Sequence, residues 1–207
     1  MSSTTASDTM TEFLPDFNEG LNIGAPLASK KGGIKQSYIS LNGKPFIAIL
    51  GSADAPLRCP FEVKPYNESE SSTRLNLNLA ISDPAMEEYF TTLDESIVQM
   101  IAANSSTFLG KDMPIDHIRL MYKQMLPDNE GYNKNLKVKV NLQDPCKLRA
   151  WNKGKQQVEL PTEWKNTNLA ACIKIKSVYS AQNAVGVVVE ASDIMICENA
   201  SVESCPF

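Results

Sequence analysis

The chain has 207 residues, 43% of them hydrophobic and 21% charged, which suits one sizeable core and leaves little material for a second. It holds no run of about 18 apolar residues, and residues 1–11 join no basic stretch to an apolar one, so a membrane span and secretion are not expected and an intracellular protein is. Taken whole, the net charge of −4 argues against a polyanionic ligand.

Residues 1–32 are rich in Ser, Thr, Asp and Gly and lack a period, the pattern of a flexible N-terminal arm. Within it Phe13, Leu14 and Phe17 form an apolar patch that docks on the domain or on a partner. The ordered domain is expected over 33–197. Segment 34–41 reads as a strand, and 46–50 as the strand that returns after Asn42-Gly43, a turn whose two central positions need φ > 0. Pro56, Pro60 and Pro65 then fragment the chain into a loop or a broken edge strand.

In 74–81 polar and apolar residues alternate, so Leu75, Leu77, Leu79 and Ile81 face a core while Arg74, Asn76 and Asn78 face away. Asp83 and Pro84 follow as an N-cap and a first-turn proline, with Glu87 and Glu88 where the helix dipole favours acids. Met86, Tyr89, Phe90, Leu93, Ile97, Met100 and Ile101 recur at helical spacing, which predicts one long amphipathic helix to about residue 103. A shorter helix is predicted over 116–125.

The strand pattern resumes at Leu136. Leu136, Val138, Val140 and Leu142 alternate with Lys137, Lys139 and Asn141, and Ala171, Ile173 and Ile175 with Cys172, Lys174 and Lys176. The apolar runs 184–189 and 194–197 supply the last strand or strands, with a bulge at Ser192-Asp193. The fold class is mainly β: a barrel of five to six antiparallel strands of the OB type, with the long helix between the third and fourth.

Divided by segment, the charge reads differently. Residues 1–133 carry −7, residues 134–176 carry +7 and residues 177–207 carry −4. The basic segment holds two alternating strands, so Lys137, Lys139, Lys174 and Lys176 share the face opposite the core, and Lys147, Arg149, Lys153 and Lys155 lie in the connection beside Trp151. Cations that neutralise phosphates, interleaved with rings that stack on unpaired bases, are what single-strand binding needs. Tyr38, Phe61, Tyr132 and Tyr179 are further candidate rings. The competing reading is a solvated sheet face whose lysines guard an edge against aggregation.

Catalysis finds little support. Cys59, Cys146, Cys172, Cys197 and Cys205 form no CxxC pair and His117 is the single histidine, so a zinc site of ordinary spacing cannot be assembled, and His117, near Asp116 in the predicted second helix, reads as a surface residue rather than a general base. GxSxG, GxxxxGK[ST] and HExxH are absent. The expectation is a non-enzymatic protein without cofactor or metal.

Residues 198–207 form a short acidic tail with Glu198, Glu203 and terminal Phe207. Together with Leu136-Lys137-Val138-Lys139-Val140, with Ile173-Lys174-Ile175-Lys176 running to Tyr179, and with Asn183-Ala184-Val185-Gly186 leading to Cys197, the sequence resembles the replication single-stranded DNA-binding proteins of T-odd podophages and of nucleo-cytoplasmic large DNA viruses. The long helix and 33–60 are similar to the viral branch. The resemblance implies an OB fold, sequence-independent binding of single-stranded DNA in replication, recombination and repair, a homodimer, and a tail that recruits DNA polymerase or helicase-primase in the infected host cell. The long acidic tails of the phage proteins are represented here only by Glu198, Glu203 and Phe207. The expected DNA-binding residues are Arg74, Lys137, Lys139, Lys147, Arg149, Trp151, Lys153, Lys155, Lys174, Lys176 and Tyr179, with Phe207 meeting a partner. The alternatives are an OB-type module for RNA or protein, and an enzyme with a site not visible in the sequence.

Overall fold

The computed structural model describes residues 12–28, 34–65, 73–128, 134–181 and 183–197. Tyr132, Cys205, Phe207 and the whole segment 198–207 lie outside them. In chain order the elements are β1 (Leu21–Ile23), β2 (Leu27–Ala28), β3 (Lys35–Leu41), β4 (Lys44–Leu50), β5 (Leu57–Arg58), β6 (Lys64–Pro65), β7 (Arg74–Ile81), α1 (Pro84–Ala103), α2 (Ser105–Leu109) and α3 (Ile115–Met121). They continue with β8 (Tyr122–Lys123), β9 (Lys134–Asn141), β10 (Arg149–Trp151), β11 (Gln157–Val158), β12 (Asn168–Ala181) and β13 (Ala184–Cys197).

Asn42 and Gly43 both take positive φ, 52° and 71°, as a type I′ turn requires, and the twist of that turn sends β4 back beside β3. The Asp83 carboxylate accepts the Ala85 N–H at 3.0 Å and caps α1. The apolar stripe Met86, Phe90, Leu93, Ile97 and Ile101 is buried against Leu77, Leu79 and Ile81 of β7 and Leu136, Val138 and Val140 of β9 in one hydrophobic cluster. Burial on this scale is the main favourable contribution to folding.

The strands form one mixed sheet in the order β1-β3-β4-β12-β13-β9-β7-β6. Six of them, β3, β4, β7, β9, β12 and β13, run for 7 to 14 residues, and α1 falls between the third and fourth of these. Around them lie seven strands of two or three residues, so the described residues hold thirteen strands rather than five or six. Nor is the pairing all antiparallel. β8, β9 and β10 each run parallel to β13, because the helical excursion and the long loops bring the chain back to β13 in the same direction.

Two further expectations change. Residues 12–28 are held to the domain rather than loose: the apolar patch takes the domain and not a partner, Phe13 exchanging two 2.8 Å backbone hydrogen bonds with Ile49 and Phe17 lying buried and edge-on against Tyr89 at 5.1 Å, and beyond the patch β1 pairs with β3, which no period announced. The Tyr89 hydroxyl donates to the Pro15 carbonyl at 2.9 Å. Sparse apolar residues without a period are enough to dock a segment when the domain offers an edge strand and a pocket. The second helix is also shorter than predicted. It ends at Met121 because Tyr122 turns extended and joins β13, its hydroxyl donating at 2.6 Å to Asp94 of α1. Asp94, buried among apolar neighbours, also accepts the Met125 N–H at 2.8 Å. Burial pushes its carboxyl up to about 6, against the opposing pull of the Tyr122 and Met125 hydrogen bonds.

Candidate nucleic-acid interface

Alternation sets which side chains leave the core. Lys174 stands between buried Ile173 and Ile175, Lys139 between Val138 and Val140, and Glu190 between Val189 and Ala191. The ladder aligns these outward residues across the sheet. Ile47 of β4 opposes Lys174 of β12, Lys174 opposes Glu190 of β13, Glu190 opposes Lys139 of β9, Lys139 opposes Asn76 of β7, and Asn76 opposes Lys64 of β6. At roughly 4.8 Å per strand this row spans about 24 Å. Beside it on β7 and β9 lie the outward pairs Asn78–Lys137 and Arg74–Asn141.

At the β6 end the row opens into a groove of about 460 Å³ lined by Phe61, Glu62, Lys64, Asn76, Asn78, Lys137 and Lys165. The Phe61 ring is 52% exposed, unusual for so large an apolar surface and available for stacking. Glu62 does not neutralise the groove by pairing with a lysine at ion-pair distance. Its carboxylate accepts the backbone N–H groups of Lys165 at 2.9 Å and Trp164 at 3.1 Å, and those bonds hold its carboxyl below the usual range. Among the described residues Lys64 and Lys137 form no ion pair. Asn76 Oδ1 is buried without a hydrogen-bond partner at the floor of the same region.

At the other end, Tyr38 of β3, 53% exposed, faces outward opposite Ser177 and next to Lys176. A register shift between Ile175 and Ser177 leaves Lys176 outside the pairing, and its ammonium reaches both carboxylate oxygens of Glu190 at 2.8 Å.

A second outward row runs Ile49, Cys172, Asp193, Arg149. Asp193 binds Arg149 at 2.8 Å and accepts the Trp151 indole N–H at 2.9 Å, while the Arg149 guanidinium sits 5.7 Å from the Trp151 ring centroid. Burial opposes the charge on Asp193, but the bonds from Arg149 and Trp151 prevail and its carboxyl titrates below the ordinary range. Trp151 is therefore fixed in orientation and half-buried, with a cation over its ring.

The structure thus brings Arg74, Lys137, Lys139, Lys174 and Lys176 together on one face, with Arg149 and Trp151 in the adjoining row. Lys147, Lys153 and Lys155 are exposed in the connections flanking β10. Tyr179 is half-buried, its ring so close over Gly186 that a Cβ there would lie 2.7 Å from the hydroxyl oxygen. Phe207 is outside the described residues. Lys64, Lys165, Asn76 and Asn78 were not anticipated as site residues. The alternation of β7 pointed both asparagines outward, but only the register sets them beside Lys137 and Lys139. Glu190 and Asp193, two charges in an otherwise apolar strand, carried a readable signal that both face away from the core.

Another groove, of about 330 Å³, lies by α3 and is lined by Arg119, Tyr122, Lys123, Gln124 and Pro127. Its arginine is tied to Glu95 and Asp116, and its tyrosine is buried on Asp94. No helix is long and apolar enough to cross a membrane among the described residues.

No family model matches the chain and no curated protein matches it. Among solved structures, it is similar to gp2.5, a single-stranded DNA binding protein encoded by bacteriophage T7, at 17% identity over 78% of this chain and 96% of that one, with a TM-score of 0.49. The bacteriophage Enc34 single-stranded DNA-binding protein in complex with ssDNA shares 13% identity over 87% and 97% of the two chains, with a TM-score of 0.49. Its C-terminal truncation shares 10% over 86% and 95%, with a TM-score of 0.47.

Proposed function

We propose that the chain is a non-catalytic, sequence-independent single-stranded DNA-binding protein with an OB-type barrel, related to the phage and large-virus binders that its sequence resembles. One observation carries the reading: a row of outward lysines crosses the sheet and ends in a groove where the exposed ring of Phe61 lies among Lys64, Lys137 and Lys165. Lysines attract a phosphate backbone whatever the sequence, and an open ring stacks on any unpaired base for roughly 1 to 3 kcal/mol. A strand laid along the row, which spans about 24 Å from Ile47 to Lys64, has the exposed ring of Tyr38 near one end and that of Phe61 near the other, and this length suits a site of several nucleotides.

The protein coats and protects single strands during replication, recombination and repair, inside the cell that carries out that synthesis. Phe207 and the acidic tail contact a polymerase or helicase-primase, and a homodimer is part of the same reading. Titration of labelled single-stranded DNA, duplex and RNA tests the core claim. Single-stranded DNA is expected to bind tightest, with log affinity falling against log salt at a slope of roughly −3 for about four phosphate contacts. Equal affinity for all three ligands, or none, contradicts it. Preference for RNA assigns the same face to the RNA-binding alternative.

A further inference from the structure

The outward face of β13 carries two carboxylates, and each holds a cation of the basic face, but they are held differently. The Asp193 side chain is 14% exposed and receives Arg149 and the Trp151 indole together. It is a fixture that orients an aromatic ring. The Glu190 side chain is 33% exposed, and the partner of both its oxygens is the ammonium of Lys176, itself 28% exposed and placed by the bulge of β12. Across the ladder Glu190 has Lys174 on one side and Lys139 on the other. A single carboxylate thus sits at the centre of three lysines, midway along the row that ends in the Phe61 groove.

We propose that Glu190 is an internal substitute for a backbone phosphate, occupying the centre of the lysine row in the empty protein and releasing Lys176 when a strand binds. This rests on the reading of the face as a single-strand binding surface. The physics runs in both directions. Without a ligand, the carboxylate pairs with the ammonium of a half-buried lysine and offsets the mutual repulsion of three neighbouring lysines. As a strand arrives, the same carboxylate repels the phosphate and competes for Lys176. A phosphate that takes its place sheds a counterion, but the freed Glu190 gains one, so this contact adds little to the salt dependence. The strand is therefore held less tightly, and exchanged faster, than the number of lysines implies.

Glu190→Gln tests this, because it keeps shape and hydrogen-bonding capacity and removes the charge. With labelled oligothymidylate titrated between about 50 and 200 mM salt, the variant is expected to bind roughly three- to tenfold tighter at the low end, with a slope steeper by about 0.7. Adding Lys176→Gln should abolish both gains. Unchanged affinity and slope overturn the proposal, and so does weaker binding by a variant whose thermal unfolding matches the parent, since Glu190 then merely positions Lys176. Should the variant not fold, the carboxylate carbon resonance of Glu190 in the unaltered protein gives the answer: it shifts as oligothymidylate saturates if the pair opens, and its constancy overturns the proposal. A parent protein that binds no oligothymidylate refutes the functional reading itself, a result distinct from any of these.

Discussion

Lys137 and Lys176 stand on the same outer face in strands of the same alternating pattern, yet Lys137 opens onto a groove beside Phe61 while Lys176 is gripped by both oxygens of Glu190. The same contrast separates Trp151, locked by its indole N–H to Asp193, from Phe61, whose ring is 52% exposed. Charge and ring counts cannot tell these regions apart. The +7 of residues 134–176 is partly cancelled in space by Glu190 and Asp193, which belong to a segment that looked like a separate acidic flank. The groove keeps a positive balance because three lysines, Lys64, Lys137 and Lys165, face one acid, Glu62, whose charged carboxylate is bound by backbone N–H groups and forms no ion pair with any of them among the described residues.

If the groove is the stronger half of the face, reversing its charge should have the largest effect. Lys64→Glu combined with Lys137→Glu is expected to weaken oligothymidylate binding by roughly a hundredfold, with a flatter salt slope. The matching pair at the centre, Lys174→Glu with Lys176→Glu, should lose less, because Lys176 starts out neutralised; equal losses would erase the contrast. Next in size, Phe61→Ala should remove about 1 to 3 kcal/mol of binding with little change in salt slope, as befits stacking. Trp151→Ala should affect binding less than Phe61→Ala does.

The β13 clamp sharpens the comparison through stability. Asp193→Asn removes the charge that holds Arg149 and Trp151, and is expected to lower unfolding free energy by about 1 to 2 kcal/mol in a denaturant titration. Because the folded carboxyl titrates below its ordinary value, that contribution is present above the unfolded value near 3.8 and fades as pH falls through the folded one.

The smallest effect belongs to neither region. Asp94 has the opposite sign: a folded value of about 6 against an ordinary 3.8 means the folded state binds its proton more tightly. Its penalty therefore shrinks as pH drops, by about 1 kcal/mol from about pH 7 to about pH 5, and the parent should gain on Asp94→Asn by that amount over the same interval.

What could be read from residue order was local. Period-two alternation identified β7, β9 and the middle of β12, the pair Asn42-Gly43 identified a turn, and Asp83 with Pro84 identified the start of α1, because each depends on near neighbours alone. The register between β9 and β13 depends on residues 51 positions apart, Lys139 and Glu190, and no local pattern encodes it. That is why Glu190 and Asp193 went unpaired with their cations, and why Asn76, Asn78, Lys64 and Lys165 were not placed beside Lys137. That Phe13, Leu14 and Phe17 dock was legible as an apolar patch in a polar arm, but their seat and the pairing of β1 with β3 were not, for the same reason: Phe17 finds Tyr89 only once α1 lies across the sheet.

The central claim is that a single strand binds the outer lysine row and the Phe61 groove. Amide resonances of the isotopically labelled protein, followed while oligothymidylate is added, test it most directly. The account predicts shifts concentrated at Phe61, Lys64, Asn76, Asn78, Lys137, Lys139 and Lys174, with α1 and α3 unmoved. Shifts confined to the groove beside α3, or scattered without relation to the outer face, would contradict it.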